Sequence, residues 1–288
     1  LAGITDVAYT KTESNEEQDN KILETAINGT NNILNFSKPD CKILFPSTHV
    51  VYEGLNETQL EIKEDQETCP VLTYAKGKNQ NEIDIKASGK DYVILRLGSV
   101  YGYSGDTMRI GIMPNLFSKM TSQNATIKLF SGGVQYKSLV NLMDVARAFK
   151  YMEQNHNNQT FHLTNEQCTV KDVAELCKKY HPSLEIIETN DEIPNLGYTL
   201  SNKKLLDTGF ELLYNLEDSI KEMIHNWSEQ KTPDDLEYII KGGNDYVDDR
   251  GYITNYELSE PINLIGYITS KAGTVRANHY HEIQEQKC

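Results

Sequence analysis

Thr48, Tyr74 and Lys78 are residues whose types and spacing suit proton transfer. Tyr74 and Lys78 lie four apart in a stretch of helical composition, so both side chains leave the same helix face. A phenol with a reference pKa near ~10 is a poor base at neutral pH, and an ammonium held beside it favours the phenolate. Thr48 ends the apolar run Lys42–Thr48, the profile of a buried parallel strand whose carboxyl end opens onto a site. Its hydroxyl can bond the same substrate oxygen that the tyrosine protonates or deprotonates. With a nicotinamide exchanging hydride at the adjoining carbon, the set oxidises an alcohol or reduces a ketone. Spacing alone is not selective, since Tyr267 and Lys271 repeat it in a β-like stretch. The order around Tyr74 is what selects it. A strand and hydroxyl are followed by Val51-Tyr52-x-Gly54, Pro70, Tyr74-x-x-x-Lys78 and Glu82, then a second buried strand, Tyr92–Leu97, and Gly98-x-Val100-Tyr101-Gly102.

The elements that must position these groups alternate between periods of 3.6 and runs of buried type. Glu13–Lys38 is predicted as a long helix with Ile22, Leu23, Ala26, Ile33 and Leu34 at helical spacing. Ser104–Gly111 is expected as a loop, Asn115–Met120 as a helix and Thr126–Phe130 as a short strand. Asp144 is expected to cap a helix running to Asn155. Thr160–Thr164 and Leu184–Glu188 are predicted strands, and Val170–Tyr180 and Leu216–Trp227 predicted helices. This alternation is that of an α/β protein with a parallel sheet. Gln230–Asp235 is polar and contains Thr232-Pro233, and beyond it short β segments with Gly/Asp turns suggest antiparallel strands. The expected organisation is a first domain at 1–230, a linker at 231–237 and a β segment at 238–288.

The chain has 288 residues and a net charge of −14, with no basic stripe, so neither nucleic acid nor anionic membrane is an expected partner. With no run of ~18 apolar residues and no signal peptide, the expectation is a soluble cytoplasmic protein. The five cysteines are scattered without a C-x-x-C pair and read as reduced thiols, Cys69 included, whose expected role is packing.

The ordered set around Tyr74 resembles the extended short-chain dehydrogenase/reductases, the NAD-dependent epimerase/dehydratase family acting on nucleotide sugars. The resemblance runs from Leu1 to about Gln230. It implies a partial NAD(P)-binding Rossmann fold, a parallel sheet with helices on both faces and its first strands missing, joined to a small α/β substrate subdomain. It implies Thr48, Tyr74 and Lys78 as catalytic residues, with Tyr74 and Lys78 also at the cofactor, which is NAD or NADP. Leu1–Asp6 resembles the end of the family's fourth strand, which puts Ala2 and Gly3 beside that cofactor. The glycine-rich turn that precedes this strand in the family does not occur here, so the chain is expected to be a fragment that binds the dinucleotide poorly. The substrate implied is a nucleotide-diphosphate sugar. The assembly implied is a homodimer, formed through the helix bearing Tyr74 and the helix at 13–38.

Departures from the family narrow the reaction. Ala26 stands in the place of a family asparagine. The two places after the catalytic threonine, an Asp-Glu pair in 4,6-dehydratases, are His49 and Val50, which disfavours elimination and decarboxylation. His49 is expected at a strand end facing solvent, with an added acid/base role as the other reading. Lys137 stands where the family places an arginine that contacts the diphosphate, with Arg109 and Lys119 as other candidate cations. Asn202 and Lys203 match a substrate-side turn loosely, and helix capping accounts for them equally well. The expected function is an NAD(P)-dependent nucleotide-sugar epimerase. The alternatives are an NADPH-dependent 4-keto-sugar reductase coupled to a cupin epimerase, and a non-catalytic cofactor-sensing relative. Gly273, His279, His281 and Glu285 resemble the first signature of the cupin family, which implies an incomplete cupin-like domain. In a complete cupin domain His279, His281 and Glu285 would face one divalent metal.

Overall fold

The computed structural model describes residues 16–104, 109–193 and 196–229, and the backbone of strands at 245–248, 251–257 and 264–268. Ala2, Gly3, His279, His281 and Glu285, with the segment 238–241, lie outside the described residues. Two compact units divide the chain at Glu229 and Gln230.

The first unit begins with α1 (Glu16–Phe36), whose first turn carries Glu16, Glu17 and Asp19 where the helix dipole favours acids. Next come β1 (Ile43–Thr48), a 3₁₀ turn over His49–Tyr52 and α2 (Thr73–Ala87). β2 (Tyr92–Leu97) and β3 (Ser99–Tyr101) are separated by Gly98 alone. β1 pairs parallel with β2, from Ile43 opposite Tyr92 to Thr48 opposite Leu97. α3 (Met113–Ser122), β4 (Ile127–Leu129), β5 (Tyr136–Asn141) and α4 (Leu142–Gln154) follow. β6 (Gln159–Leu163) then returns to pair parallel with β2, so β2 is the middle strand of three.

Alternation along β2 decides which helices cover which face. Ile94 packs with Phe45 of β1 and Ile85 of α2, and Leu34 of α1 leans on that cluster. Val93 and Leu95 point the other way, onto Phe161 and Leu163 of β6 and Val145, Ala148 and Met152 of α4. The parallel sheet therefore carries helices on both faces, as expected. α1 and α2 approach closely: a Cβ added at Gly77 would lie 3.1 Å from the Ala26 methyl. The family's asparagine place is thus filled by a small residue at a tight helix crossing.

The remaining elements are β7 (Glu166–Thr169), α5 (Val170–Tyr180), β8 (Ile186–Glu188), α6 (Lys203–Leu206) and α7 (Leu216–Glu229). β3, β5 and β7 make a small mixed sheet, and β4 pairs with β8. Their core joins Phe117 of α3, Val173 and Cys177 of α5, and Ile220 and Met223 of α7. α5 has the expected bounds and starts with a capping box between Thr169 and Asp172. The helix after β5 corrects the expectation for Asp144: Asn141 is its N-cap, accepting from the Met143 amide. Asp144 lies inside the first turn with its carboxylate buried, accepting from the amides of Leu213 and Tyr214. In the second unit β9 (Asp245–Asp248), β10 (Gly251–Glu257) and β11 (Leu264–Ile268) form an antiparallel sheet with β10 in the middle.

Candidate active site

Thr48 is the last residue of β1, and Tyr74 lies in the first turn of α2. Both line one cavity of about 320 Å³, walled further by His49, Gly98, Ser99, Tyr101 and Asn115. That volume lies at the lower end of the ~300–1,000 Å³ usual for small-molecule sites. Lys78, one turn after Tyr74, stands behind the wall. Its Nζ donates to the Pro46 carbonyl at 2.7 Å, lies 4.7 Å from the centre of the Phe45 ring and 5.9 Å from that of Tyr74. Burial pulls the Lys78 pKa down to about 8, and the carboxylate of Glu82 opposes that fall. The structure thus gathers Thr48, Tyr74 and Lys78 at one strand end.

His49 corrects the expectation of a solvent-facing side chain. The Tyr198 hydroxyl donates to the His49 carbonyl at 2.9 Å and so takes a hydrogen bond from Nδ1–H at 3.0 Å. That tautomer leaves Nε2 as acceptor, 3.3 Å from the Ser99 hydroxyl. Burial, and then the nearby Lys137 ammonium, lower its pKa to about 4, so the ring is neutral at physiological pH. A neutral imidazole bound at both nitrogens is suited to orienting a polar group and unsuited to donating a proton.

The two candidate substrate cations occupy different places. Arg109 is exposed at the rim of the cavity that holds Thr48 and Tyr74, where its carbonyl accepts from Asn115 Nδ2 at 3.1 Å. Lys137 lines a second cavity of about 210 Å³, with Glu53, Tyr136 and Tyr198. Both cavities share His49, Val50, Ser99 and Ile112 as wall. Burial lowers the Lys137 pKa, and Glu53 opposes this. Lys119 belongs elsewhere, its ammonium 4.9 Å over the Trp227 ring. Asn202 and Lys203 have structural partners: Asn202 Nδ2 donates to the Thr164 carbonyl at 2.9 Å, and Lys203 pairs with Asp207 on the surface. Among the described residues no cluster of His, Cys, Asp or Glu could hold a metal ion.

One group of residues had no assigned role in the sequence. Glu82, four residues after Lys78, is buried and paired with Arg96 of β2 at 2.7 Å. Arg96 also reaches the Tyr52 hydroxyl, which bonds His162 Nε2 at 2.9 Å. The i+4 step from Lys78 to Glu82 is the signal that places it on the Tyr74–Lys78 face.

A nicotinamide fits the donor set: a phenol and a hydroxyl converge on one cavity, with an ammonium one helical turn beneath the phenol. Gly98 and Gly102 in its wall bring backbone close to the space.

Residues 4–193 match a family model described as the RmlD substrate binding domain. Over 127 residues the chain is 32% identical to a probable low-salt glycan biosynthesis reductase, Agl14, of Haloferax volcanii. The aligned part is 43% of this chain and 41% of that relative, so less than half the relative's length is spanned. Among solved structures, RMD from Pseudomonas aeruginosa, complexed with NADPH, is similar with TM-score 0.69 and 17% identity, covering 80% of each chain. The UDP-glucose 4-epimerase of Thermotoga maritima, solved with UDP-glucose, gives TM-score 0.67 and 19% identity over 78% of this chain and 74% of that one. At these identities the likeness is one of fold.

Proposed function

The chain belongs to the RmlD substrate binding domain family, and from that premise we propose that it carries the proton-transfer half of an NAD(P)H-dependent reductase acting on the keto group of a nucleotide-linked sugar. The observation that carries the proposal is the single cavity lined by Thr48 and Tyr74 with the Lys78 ammonium beneath. The similarity of this chain to a probable glycan biosynthesis reductase favours reduction.

In this reading the substrate carbonyl oxygen accepts hydrogen bonds from the Thr48 and Tyr74 hydroxyls, which orient it and polarise the carbon. The dinucleotide, when bound, supplies the hydride. Tyr74 gives up its proton to the oxygen as charge grows there, and the Lys78 ammonium stabilises the phenolate left behind. Lys78 also faces the nicotinamide ribose, and Arg109 or Lys137 meets the diphosphate. Ala2 and Gly3 belong to the cofactor side. His49 and Val50 offer no acid–base pair for dehydration, since His49 is neutral and bound at both nitrogens.

An epimerase uses the same three groups and remains the second reading, because oxidation and re-reduction at one carbinol need nothing more from the chain. Two further parts of the proposal concern assembly and the second unit. Ile33 and Phe36 of α1 and Ile83 of α2, each more than half exposed, fit a homodimer face. The antiparallel strands after residue 244 fit the opening of a cupin-like domain, with His279, His281 and Glu285 as its metal-side set.

The test is an assay with NADPH and a nucleotide-linked 4-keto-hexose. It uses this chain with NADPH in large excess, because no glycine-rich turn for a pyrophosphate is found before Thr48 in this sequence. A reductase consumes NADPH one for one with product, whereas an epimerase retains it through many turnovers. Tyr74→Phe is expected to lower turnover by roughly 10²–10⁴-fold with the fold intact. Undiminished turnover in a folded Tyr74→Phe protein removes the proton-transfer assignment.

A further inference from the structure

Two consecutive residues of β1 are gripped by two residues one turn apart on α2. Lys78 Nζ donates to the Pro46 carbonyl at 2.7 Å, and the Ser47 hydroxyl donates to Glu82 Oε1 at 2.5 Å. Thr48 is the next residue of the strand. Tyr74, Lys78 and Glu82 follow at four-residue steps along one helix face, so the two bonds fix both the height and the rotation of α2 over the strand end. Glu82 is itself held from the far side. Arg96 of β2 donates from Nε to Oε1 at 3.0 Å and from Nη2 to Oε2 at 2.7 Å, a fork on a carboxylate that is 1% exposed. Lys86 adds a weak contact to Oε2 at 3.4 Å. Behind Arg96 the chain of bonds continues through the Tyr52 hydroxyl to His162 Nε2, and His162 Nδ1–H bonds the Ser201 carbonyl at 3.2 Å.

A buried ion pair is a poor device for stability alone, because desolvation offsets most of its attraction and apolar residues of like volume often serve as well. What it does supply is fixed geometry and a fixed charge. Among the described residues, the groups facing the Lys78 ammonium are few. From α2 they are the Tyr74 ring and the Glu82 carboxylate, and from β1 the Phe45 ring and Pro46 carbonyl. At the crossing with α1 the neighbours of Gly77 are the neutral Leu23 and Ala26. From β2, Arg96 stands behind Glu82 with its guanidinium committed to that carboxylate.

We propose that Glu82, clamped by Arg96 and Ser47, is a positioning residue for the proton-transfer set: it seats α2 on the end of β1 and holds a carboxylate one helical turn beyond Lys78. The assignment deepens the reductase reading and rests on it for its meaning, but its geometry is independent of which sugar is bound. Glu82 touches neither cavity and acts through Lys78 and Ser47. Burial lowers the Lys78 pKa, and the Glu82 carboxylate is the group that opposes this.

The experiment is a pH titration of Lys78 by NMR in the chain labelled at the lysine side chains, with Lys78→Arg used to assign the resonance. No dinucleotide or sugar is present, so a failed reductase assay and a failed titration are separate events. The double variant Glu82→Gln with Arg96→Gln removes the carboxylate without stranding a buried guanidinium. In it the protonation constant of Lys78 is expected to fall about threefold, less than the roughly tenfold of one buried charge partner because the opposing guanidinium leaves with the carboxylate. Glu82→Asp is expected to restore most of that loss. Should the double variant not fold, Ser47→Ala carries the test, because it keeps the ion pair and releases the carboxylate from β1. Its expected result is a fall of about twofold or more in the same constant. A folded double variant, or failing that a Ser47→Ala protein, in which Lys78 titrates as in the parent chain overturns the proposal and leaves Glu82 a structural residue.

Discussion

Gly98 is the joint between the strand that carries Arg96 and the strand that walls the cavity, and it has no room for a side chain. A Cβ there would sit 2.7 Å from the Ser138 carbonyl oxygen and 3.2 Å from the Thr164 hydroxyl. Backbone cannot yield as a flexible side chain does, so Gly98→Ala is expected to cost about 1–3 kcal/mol and to shift Ser99 in the cavity wall. A lowered urea midpoint with an unchanged slope is the measurement, and an unaltered midpoint counts against the packing described. At this scale the sequence was legible where chemistry is local. Tyr74 and Lys78 are singled out by the order of motifs around them, since the i, i+4 step alone recurs at Tyr267 and Lys271, and Thr48 by ending a buried run. His49 was misread because its partners are remote: Ser99 lies 50 residues on and Tyr198 149 residues on. Nothing in the local pattern says that a strand-end imidazole will be bound at both nitrogens.

Between elements, Asp144 ties α4 to the segment leading into α7. Its carboxylate accepts from the Leu213 amide at 3.1 Å and the Tyr214 amide at 3.0 Å, and it pairs with Arg147. Asp144→Ala strips these donors of their acceptor in a buried place, so a loss of about 3 kcal/mol is expected, well beyond the ~1 kcal/mol of an ordinary helix cap. Thermal unfolding separates the two roles, and a loss at the cap level restores the capping assignment. The buried strands of the main sheet were readable because both faces are covered and the run is continuous: 42–48 and 92–97 were expected, against Ile43–Thr48 and Tyr92–Leu97 found. β7 was not. Glu166 and Gln167 are both polar, the first partly buried and the second exposed, so a four-residue strand there has no alternation of apolar residues to read. Its pairing with β5 is a tertiary fact.

For the first unit as a whole, buried titratable groups set how stability answers to pH. His162 is lowered to about 3, by burial first and by Arg96 next, and His49 to about 4. An unfolded chain protonates both near their ordinary value of ~6.5. As pH falls from that value the unfolded state therefore gains two protons that the folded state does not, and stability is lost, by up to ~1.4 kcal/mol per pH unit for each group. Glu166 acts in the opposite sense. Burial raises its pKa to about 7, so the folded state takes up a proton as pH falls through 7, ahead of the unfolded chain, whose ordinary value is 4.5. Two groups against one leaves a net fall in stability between pH 6.5 and 4.5. The net charge of −14 adds a background that acidification relaxes, common to parent and variant, so the difference between them isolates the histidine. His162→Gln keeps an acceptor for the Tyr52 hydroxyl and removes one titration, so its stability is expected to be nearly flat over the same range. Trp227, the single tryptophan, packs edge-on to Tyr103 and reports unfolding of this unit by fluorescence. Urea midpoints at pH 6.5, 5.5 and 4.5 decide the matter: a variant whose midpoint changes with pH as the parent's does refutes the buried neutral His162.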